Sequence, residues 1–167
     1  MLNIHPAIVH TPIGLLTLYS IFEVLRFKKL LDRSYWFYIK AVLVIVGFGG
    51  SLLAIGSGLL IKSEFVGDKV VEMHFWFGIL TSILYGIIAF SYLVAWVQKE
   101  IYPFRLLKTS LWKFLVRLEI FIQKGWLLVP LSVVALMAIF ITGALGGAIV
   151  YGPEVDPMVS LIYHWFF

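Results

Sequence analysis

Four long stretches of the chain contain no Asp, Glu, Lys or Arg, and they constrain the fold more than any other feature. They cover 1–22, 41–61, 73–97 and 125–153. About 20 apolar residues in a helix cross a bilayer, so each stretch is long enough to span a membrane. Only 13% of the 167 residues are charged, which is far below the share in a soluble domain. The sequence predicts an all-α membrane protein, a single four-transmembrane-helix bundle with spans at about 7–26, 37–61, 73–98 and 125–151.

Basic residues are distributed unevenly between the two faces of this bundle. With four spans, both termini lie on one face, and that face carries only Lys62 and Lys69. The opposite face carries the other eleven basic residues: Arg26, Lys28, Lys29, Arg33, Lys40, Lys99, Arg105, Lys108, Lys113, Arg117 and Lys124. The positive-inside rule therefore predicts that both termini lie on the outer side, in the periplasm or facing the exterior.

Two shorter helices are expected outside the spans. The segment from Pro103 to Lys124 separates basic from apolar residues and predicts a basic amphipathic helix on the membrane surface, before the fourth span. The alternative is an extension of the fourth span that breaks at Gly125. After Pro153, a short C-terminal helix from Pro157 is expected along the outer interface, because it is too short to cross a membrane. Its bundle-facing side chains are predicted to be Met158, Leu161, Ile162 and Trp165.

Small residues recur on the second and fourth spans and favour close contacts between helices. They are Gly47, Gly50, Ser51, Ala54 and Gly58 on the second span, with Gly143 and Gly147 on the fourth. An alternative use of Gly56, Gly58, Gly146 and Gly147 is to make room for a flat cofactor. Because ionisable residues are nearly absent at mid-membrane and no internal repeat occurs, the sequence disfavours an ion path or a transporter.

Several kinds of function are disfavoured by what the chain lacks. It has no cysteine, so thiolate metal sites and covalent haem attachment are excluded. It has no phosphate loop, dinucleotide fingerprint or His-Glu-x-x-His motif, and no enzyme class is assigned. The basic residues are confined to loop ends and one surface helix, which indicates membrane topology and not nucleic-acid binding.

The four histidines are the main candidates for a site, since all of them fall on the outer face. His5 and His10 open the first span, His74 opens the third, and His164 lies in the tail. His10 and His74 sit at equal depth in the first turns of two helices and form the favoured pair of ligands. His5 lies about 140° around an ideal helix from His10, so the two cannot bind one ion from a regular helix.

The leading hypothesis is a b-type haem held between His10 and His74, with His5 and His164 as alternates or propionate partners. Such a site would exchange single electrons with quinol or a periplasmic redox protein. Gly78, one turn after His74, leaves a bare helix face for a tetrapyrrole ring or a neighbouring helix. Gly146 and Gly147 are the other small residues assigned to this site.

Two alternatives stay open. One is a copper or zinc site of three or four imidazoles, with Glu72 or Glu154 nearby, because thiolate-free histidine ligation suits Cu(II) or Zn. The other is a non-catalytic small subunit that packs on a larger membrane complex or forms a homo-oligomer in the bilayer. In that case the histidines would only anchor the chain at the lipid headgroups.

Three segments resemble a known family. The opening His-Pro-Ala-Ile-Val-His-Thr-Pro-Ile-Gly, residues 5–14, resembles the signature His-Pro-x-x-Val-His-Phe-Pro-Ile-Ala of small bacterial membrane proteins catalogued as domain of unknown function 2231. His74 with Gly78, and the Gly-Gly-Ala-Ile-Val-Tyr-Gly ending at 146–152, also resemble that family. Thr11 and Gly14 stand where the family usually has Phe and Ala, so these departures leave both histidines of the signature in place. The resemblance implies a four-helix membrane domain and no established activity.

Overall fold

A computed structural model describes residues 5–26, 33–61, 65–100 and 109–167. These residues form helices and no strand. In chain order the helices are α1 (His5–Leu25), α2 (Ser34–Ile61), α3 (Lys69–Glu100), α4 (Ser110–Ile122), α5 (Gly125–Tyr151) and α6 (Pro157–Phe166). Four of them, α1, α2, α3 and α5, are long and apolar enough to span a membrane, and they coincide with the four predicted spans. The protein is therefore a multi-pass membrane protein in contact with lipid.

Helix α1 begins before both of its prolines. Pro6 lies in the first turn, where its missing N–H is not needed, whereas Pro12 lies inside the helix. Pro12 is buried against Gly50 of α2, where an added Cβ would stand only 3.2 Å from the proline ring. The absence of a side chain at position 50 thus leaves room for a ring that would otherwise hold the two helices apart.

Glycines also set the register of the antiparallel bundle. On α2, Gly47 lies against Leu16 and Gly58 lies against His5, so α1 and α2 run in opposite directions at close range. The other predicted small residues behave differently: Gly143 has open space around its Cβ position, and Gly147 contacts Val159 of α6. Close packing at glycine is confirmed for α1 and α2.

The contacts divide the four long helices into two pairs. Helix α1 packs most extensively on α2, and α3 packs most extensively on α5. We call the end of the bundle with His5, Gly58, His74 and Gly146 the histidine end. We call the end with Glu23, Lys40 and Tyr92 the glutamate end. The pairing matters because each pair contributes one histidine to the histidine end.

Helix α4 is a separate element joined to α5 by Gln123 and Lys124. Residues 101–108, which include the start of the predicted surface helix, lie outside the described residues. Lys113 and Arg117 are exposed, while Glu119 and Ile122 are buried against the bundle. At the junction, the Arg26 guanidinium occupies the space that a Cβ on Gly125 would need. The break between the two helices lies at Gln123 and Lys124, and α5 begins at Gly125.

The C-terminal helix α6 turns a different face to the bundle from the one predicted. Asp156 caps it, accepting from the backbone N–H groups of Met158 and Val159. Its buried residues are Val159 and Ile162, and Phe166 packs on Phe77 of α3. The prediction is correct for Ile162 and wrong for Met158, Leu161 and Trp165, which are exposed. Apolar residues lie on more than one side of this helix, so hydrophobicity alone did not determine which side faces the bundle.

Candidate functional site

Two histidines from different helix pairs meet at the histidine end. The ring centroids of His5 and His74 are 6.3 Å apart, and the ring planes are perpendicular. Each ring lies against a glycine of its partner helix: a Cβ on Gly58 would stand 3.2 Å from His5, and a Cβ on Gly146 would stand 3.1 Å from His74. These glycines therefore admit the imidazoles themselves into the helix contacts.

Hydrogen bonds hold both rings by the same nitrogen. His74 Nδ1 donates to the backbone carbonyl of Thr142 at 2.9 Å. His5 Nδ1 lies 2.8 Å from Ser57 Oγ, and Ser57 gives its own hydroxyl proton to the carbonyl of Ala54. Ser57 therefore accepts from His5 Nδ1–H. In both histidines Nδ1 carries the proton, which is the tautomer whose Nε2 lone pair can bind a metal.

His10 lies elsewhere. It is exposed, and its Nδ1 donates to the carbonyl of Pro6 on its own helix. Five residues rotate a helical position by about 140°, so His10 points away once His5 faces α2 and α3. The structure brings His74 together with His5 and not with His10.

His164 is also separate from the histidine pair in its bonding. Its Nε2 donates to Glu154 Oε1 at 2.8 Å, and Ser160 donates to the other carboxylate oxygen at 2.9 Å. These hydrogen bonds lower the pKa of the Glu154 carboxyl below its ordinary value. Both side chains of the pair are mostly exposed, at 61% for His164 and 69% for Glu154. His164 faces water or the interface and not the bundle interior.

The small residues assigned to the site serve contacts between helices. A Cβ on Gly78 would stand 3.8 Å from Thr142 of α5, so the bare face beside His74 is covered by a neighbouring helix. Gly146 receives His74, and Gly147 receives Val159. Gly56 has open space around its Cβ position.

The acidic candidates Glu72 and Glu154 do not complete a metal cluster with the histidines in the described part of the chain. Glu72 is exposed in the first turn of α3, and Glu154 is occupied by His164 and Ser160. Within the described part of the chain, no group of three or more His, Asp or Glu side chains is arranged to hold a metal ion. The described residues offer a two-histidine site.

The glutamate end holds a buried ion pair that the sequence did not predict. Lys40 Nζ donates to Glu23 Oε2 at 2.6 Å, and Tyr92 Oη donates to the same oxygen at 3.2 Å. Glu23 is 3% exposed and Lys40 is 8% exposed. The sequence assigned Lys40 to a loop flank, but both residues lie inside helices. Glu23 continues the spacing of Pro12, Leu16 and Tyr19 on the buried face of α1, and that spacing was the available signal.

The family comparison agrees with the resemblance of the three sequence segments. A family model described as predicted membrane protein (DUF2231) matches residues 1–156. No curated protein and no solved structure gives a significant match. Since the matched residues cover nearly the whole chain, this protein belongs to the DUF2231 family of predicted membrane proteins.

Proposed function

We propose that the protein is a membrane-bound electron-transfer protein that holds one b-type haem between His5 and His74. The observation that carries the proposal is the meeting of two imidazoles from separate helix pairs at the histidine end. The ring centroids of His5 and His74 are 6.3 Å apart, so the two imidazoles are close enough to bind one metal ion together, and they would hold the iron of a haem. The geometry favours His5 over His10 as the partner of His74.

The hydrogen bonds at Nδ1 support a ligand role. Histidines that bind metals generally donate the other ring N–H to a carbonyl, carboxylate or water, which fixes the tautomer and the ring orientation. The Thr142 carbonyl does this for His74, and Ser57 does it for His5.

A haem suits this donor set better than a bare copper or zinc ion. Zinc sites in proteins use three or four protein ligands, whereas the described residues bring two imidazoles together. A haem supplies four nitrogens of its own and needs only two axial ligands. When bound, it carries a single electron. His5 and His74 would hold it between the two helix pairs, and the chain's apolar surface would keep it in the membrane.

The charge distribution suggests where this site faces. We propose that the histidine end and both termini lie on the outer side of a bacterial cytoplasmic membrane, because the basic residues cluster at the other end. In this orientation α4 lies at the inner surface, with Lys113 and Arg117 toward the headgroups, and α6 lies at the outer interface. The electron partners would be quinol in the membrane or a periplasmic redox protein.

An optical spectrum tests the proposal directly. The full chain is expressed in haem-replete cells, purified in mild detergent and measured before and after dithionite reduction. We expect the sharp α-band of a reduced six-coordinate haem, lost in both His5→Ala and His74→Ala. His10→Ala is the matched control on the same helix and should keep the band. A wild-type spectrum without haem, or loss of the band in His10→Ala but not in His5→Ala, contradicts the proposal.

A further inference from the structure

Helix α4 carries a basic stripe on the side that faces away from the bundle. Lys113 and Arg117 lie one turn apart on this side, and both are exposed. Lys124, which is also exposed, follows the end of the helix by two residues. Glu119 is the one acidic residue of α4; it lies about 160° around the helix from Arg117 and is 8% exposed. The exposed side of α4 is therefore positively charged.

No described carboxylate forms an ion pair with this stripe. Within the described ranges, ion pairs join Glu23 to Lys40 and Glu154 to His164, and neither pair includes a residue of α4. Arg26 adds a further cation at the junction of α4 and α5, where its guanidinium lies against the first residue of α5. Exposed charges of one sign that are concentrated in this way attract a partner of the opposite sign. The surface is therefore complementary to an anion.

Exposed apolar side chains border the basic stripe on one side. Leu111, Phe114 and Phe121 are 68%, 59% and 46% exposed. The Lys124 ammonium lies 5.8 Å from the centre of the Phe121 ring, so the charged and apolar parts of the surface are adjacent there. A soluble anion such as inorganic phosphate would leave these apolar side chains in water, which is unfavourable. A phospholipid carries a phosphate and acyl chains in one molecule and fits both parts of the surface.

The junction of α4 with α5 places this surface at the level of the lipid headgroups. Helix α5 is one of the four membrane spans, and it begins at Gly125, directly after Lys124. Trp126, in the first turn of α5, is 66% exposed, and its ring centroid is 5.9 Å from that of Phe121. Tryptophan is enriched where the membrane meets water, because its ring is apolar and its N–H group is polar. The basic stripe therefore ends beside the phosphates of the bilayer.

We propose that the exposed side of α4 is a binding surface for anionic phospholipids. We call it the lipid-binding surface, and it consists of Lys113, Phe114, Arg117, Phe121 and Lys124. The lipid phosphates accept hydrogen bonds from the two ammonium groups and from the Arg117 guanidinium, which can donate two in parallel. The acyl chains pack on Phe114 and Phe121. This contact needs no haem, and it goes beyond the proposed electron transfer.

Quenching by spin-labelled lipids tests the inference. Because the chain has no cysteine, Ile120→Cys can carry a single NBD fluorophore; Ile120 is 54% exposed and lies within about 20° of Lys113 around the helix. The labelled chain is reconstituted in phosphatidylcholine vesicles with a small share of phosphatidylglycerol or phosphatidylcholine that carries a nitroxide on its acyl chain. We expect phosphatidylglycerol to bind beside this label at least about tenfold more tightly than phosphatidylcholine. A label at Leu161→Cys, which is 72% exposed on α6, should be quenched equally by both lipids.

The preference for phosphatidylglycerol should depend on the basic side chains. Each Lys or Arg at an anionic membrane surface contributes a factor of about five in binding. Lys113→Gln and Arg117→Gln should therefore each lower the preference by about fivefold, whereas Lys113→Arg keeps the charge and should keep the preference. Lys69→Gln is the matched control, since Lys69 is exposed at the histidine end and its loss should not change quenching at the Ile120 label.

Four outcomes overturn the inference. Equal quenching by the two lipids at Ile120→Cys would leave the surface to an acidic protein partner, and displacement of lipid by inorganic phosphate beyond the effect of NaCl at equal ionic strength would indicate a free-anion site. The other two are an unchanged preference in both glutamine variants and an equal loss in Lys69→Gln. If a variant does not fold, a NaCl titration of the labelled chain decides: the preference must fall as salt screens the exposed charges, and a constant preference overturns the inference. No readout contains a haem signal, so failure of the haem proposal is distinguishable from failure of this inference.

Discussion

At the glutamate end, Glu23 and Lys40 are buried and bind each other, whereas at the histidine end His5 and His74 are half-buried and bind uncharged acceptors. The charges at the glutamate end are enclosed by Tyr19 and Tyr92. The rings at the histidine end rest on Gly58 and Gly146, which contribute no side chain.

This contrast indicates different tasks for the two ends. A closed ion pair fixes α1 against α2, because either charge alone would be left in a low-dielectric interior. The Nδ1 hydrogen bonds of His5 and His74 fix the orientation of each ring. The glutamate end therefore has the larger role in stability, and the histidine end is the site proposed for the haem.

The largest expected effect comes from breaking the ion pair. Lys40→Met keeps the apolar stem and leaves the Glu23 charge without its partner. Removing one partner of a buried pair typically costs about 3–5 kcal/mol, and we expect the free energy of unfolding to fall by that amount. Unfolding in mixed micelles of SDS and mild detergent, followed by circular dichroism, measures it.

The control for the ion pair is Lys113→Met on the exposed face of α4. It removes the same charge from the surface and should change the free energy of unfolding by less than about 0.5 kcal/mol. Equal effects of the two substitutions would mean that the loss reflects net charge and not the contact with Glu23.

A second prediction concerns α6, which covers the α3 and α5 side of the histidine end. Ile162 is 9% exposed and packs in a cluster with Ala144, Leu145 and Val159. Ile162→Ala should lower the free energy of unfolding by about 2–3 kcal/mol, from lost burial and a residual cavity. Its neighbour Leu161 is 72% exposed, so Leu161→Ala should have little effect in the same detergent assay. Similar losses of stability in Ile162→Ala and Leu161→Ala would show that α6 does not turn its Ile162 face to the bundle.

A third prediction tests the glycine beneath His5. Gly56→Ala and Gly58→Ala both add a methyl group to α2, but only the Gly58 Cβ meets an imidazole. Alanine is favoured over glycine in a helix by up to about 1 kcal/mol. We expect Gly56→Ala to leave the free energy of unfolding unchanged or to raise it. In Gly58→Ala that free energy should be about 1 kcal/mol lower than in Gly56→Ala, because the added methyl group forces His5 to move. The reduced haem spectrum should change in Gly58→Ala and stay the same in Gly56→Ala. If the two variants have the same stability and the same spectrum, His5 does not lie against Gly58.

The four spans were predictable because their signal is strong and local. Long uncharged stretches determine membrane helices almost regardless of how the helices pack. The choice between His5 and His10 depended instead on the rotation of α1, and the predicted first span, at about 7–26, began after His5. His5 lies seven residues before Pro12, on the same face as Leu16, Tyr19 and Glu23. Extending that spacing back to the first turn of α1 would have indicated that His5, and not His10, faces the other helices.

The ion pair was harder to predict, because its residues meet only when the helices pack against each other. Glu23 and Lys40 flank a predicted loop, and Lys40 was counted among the basic residues of one face. Only the antiparallel register of α1 and α2, set by contacts such as Leu16 with Gly47, brings them together. Tyr92 reaches Glu23 from 69 residues away. Such contacts depend on the rotation of three helices at once.

The smallest expected effect is at the exposed pair of Glu154 and His164, beside the histidine end. The hydrogen bonds from His164 and Ser160 lower the pKa of Glu154 in the folded protein, so they stabilise the fold above the ordinary carboxyl pKa. This contribution is lost as the pH falls through the lowered folded-state pKa. In His164→Ala, the melting temperature at neutral pH should therefore be slightly below that of wild type, and the difference should vanish in acid. Glu154→Gln should remove the same pH dependence in both backgrounds. Because the pair is solvated, the shift should also shrink in high salt. A difference that persists in acid would mean that His164 acts through packing and not through its hydrogen bond to the carboxylate.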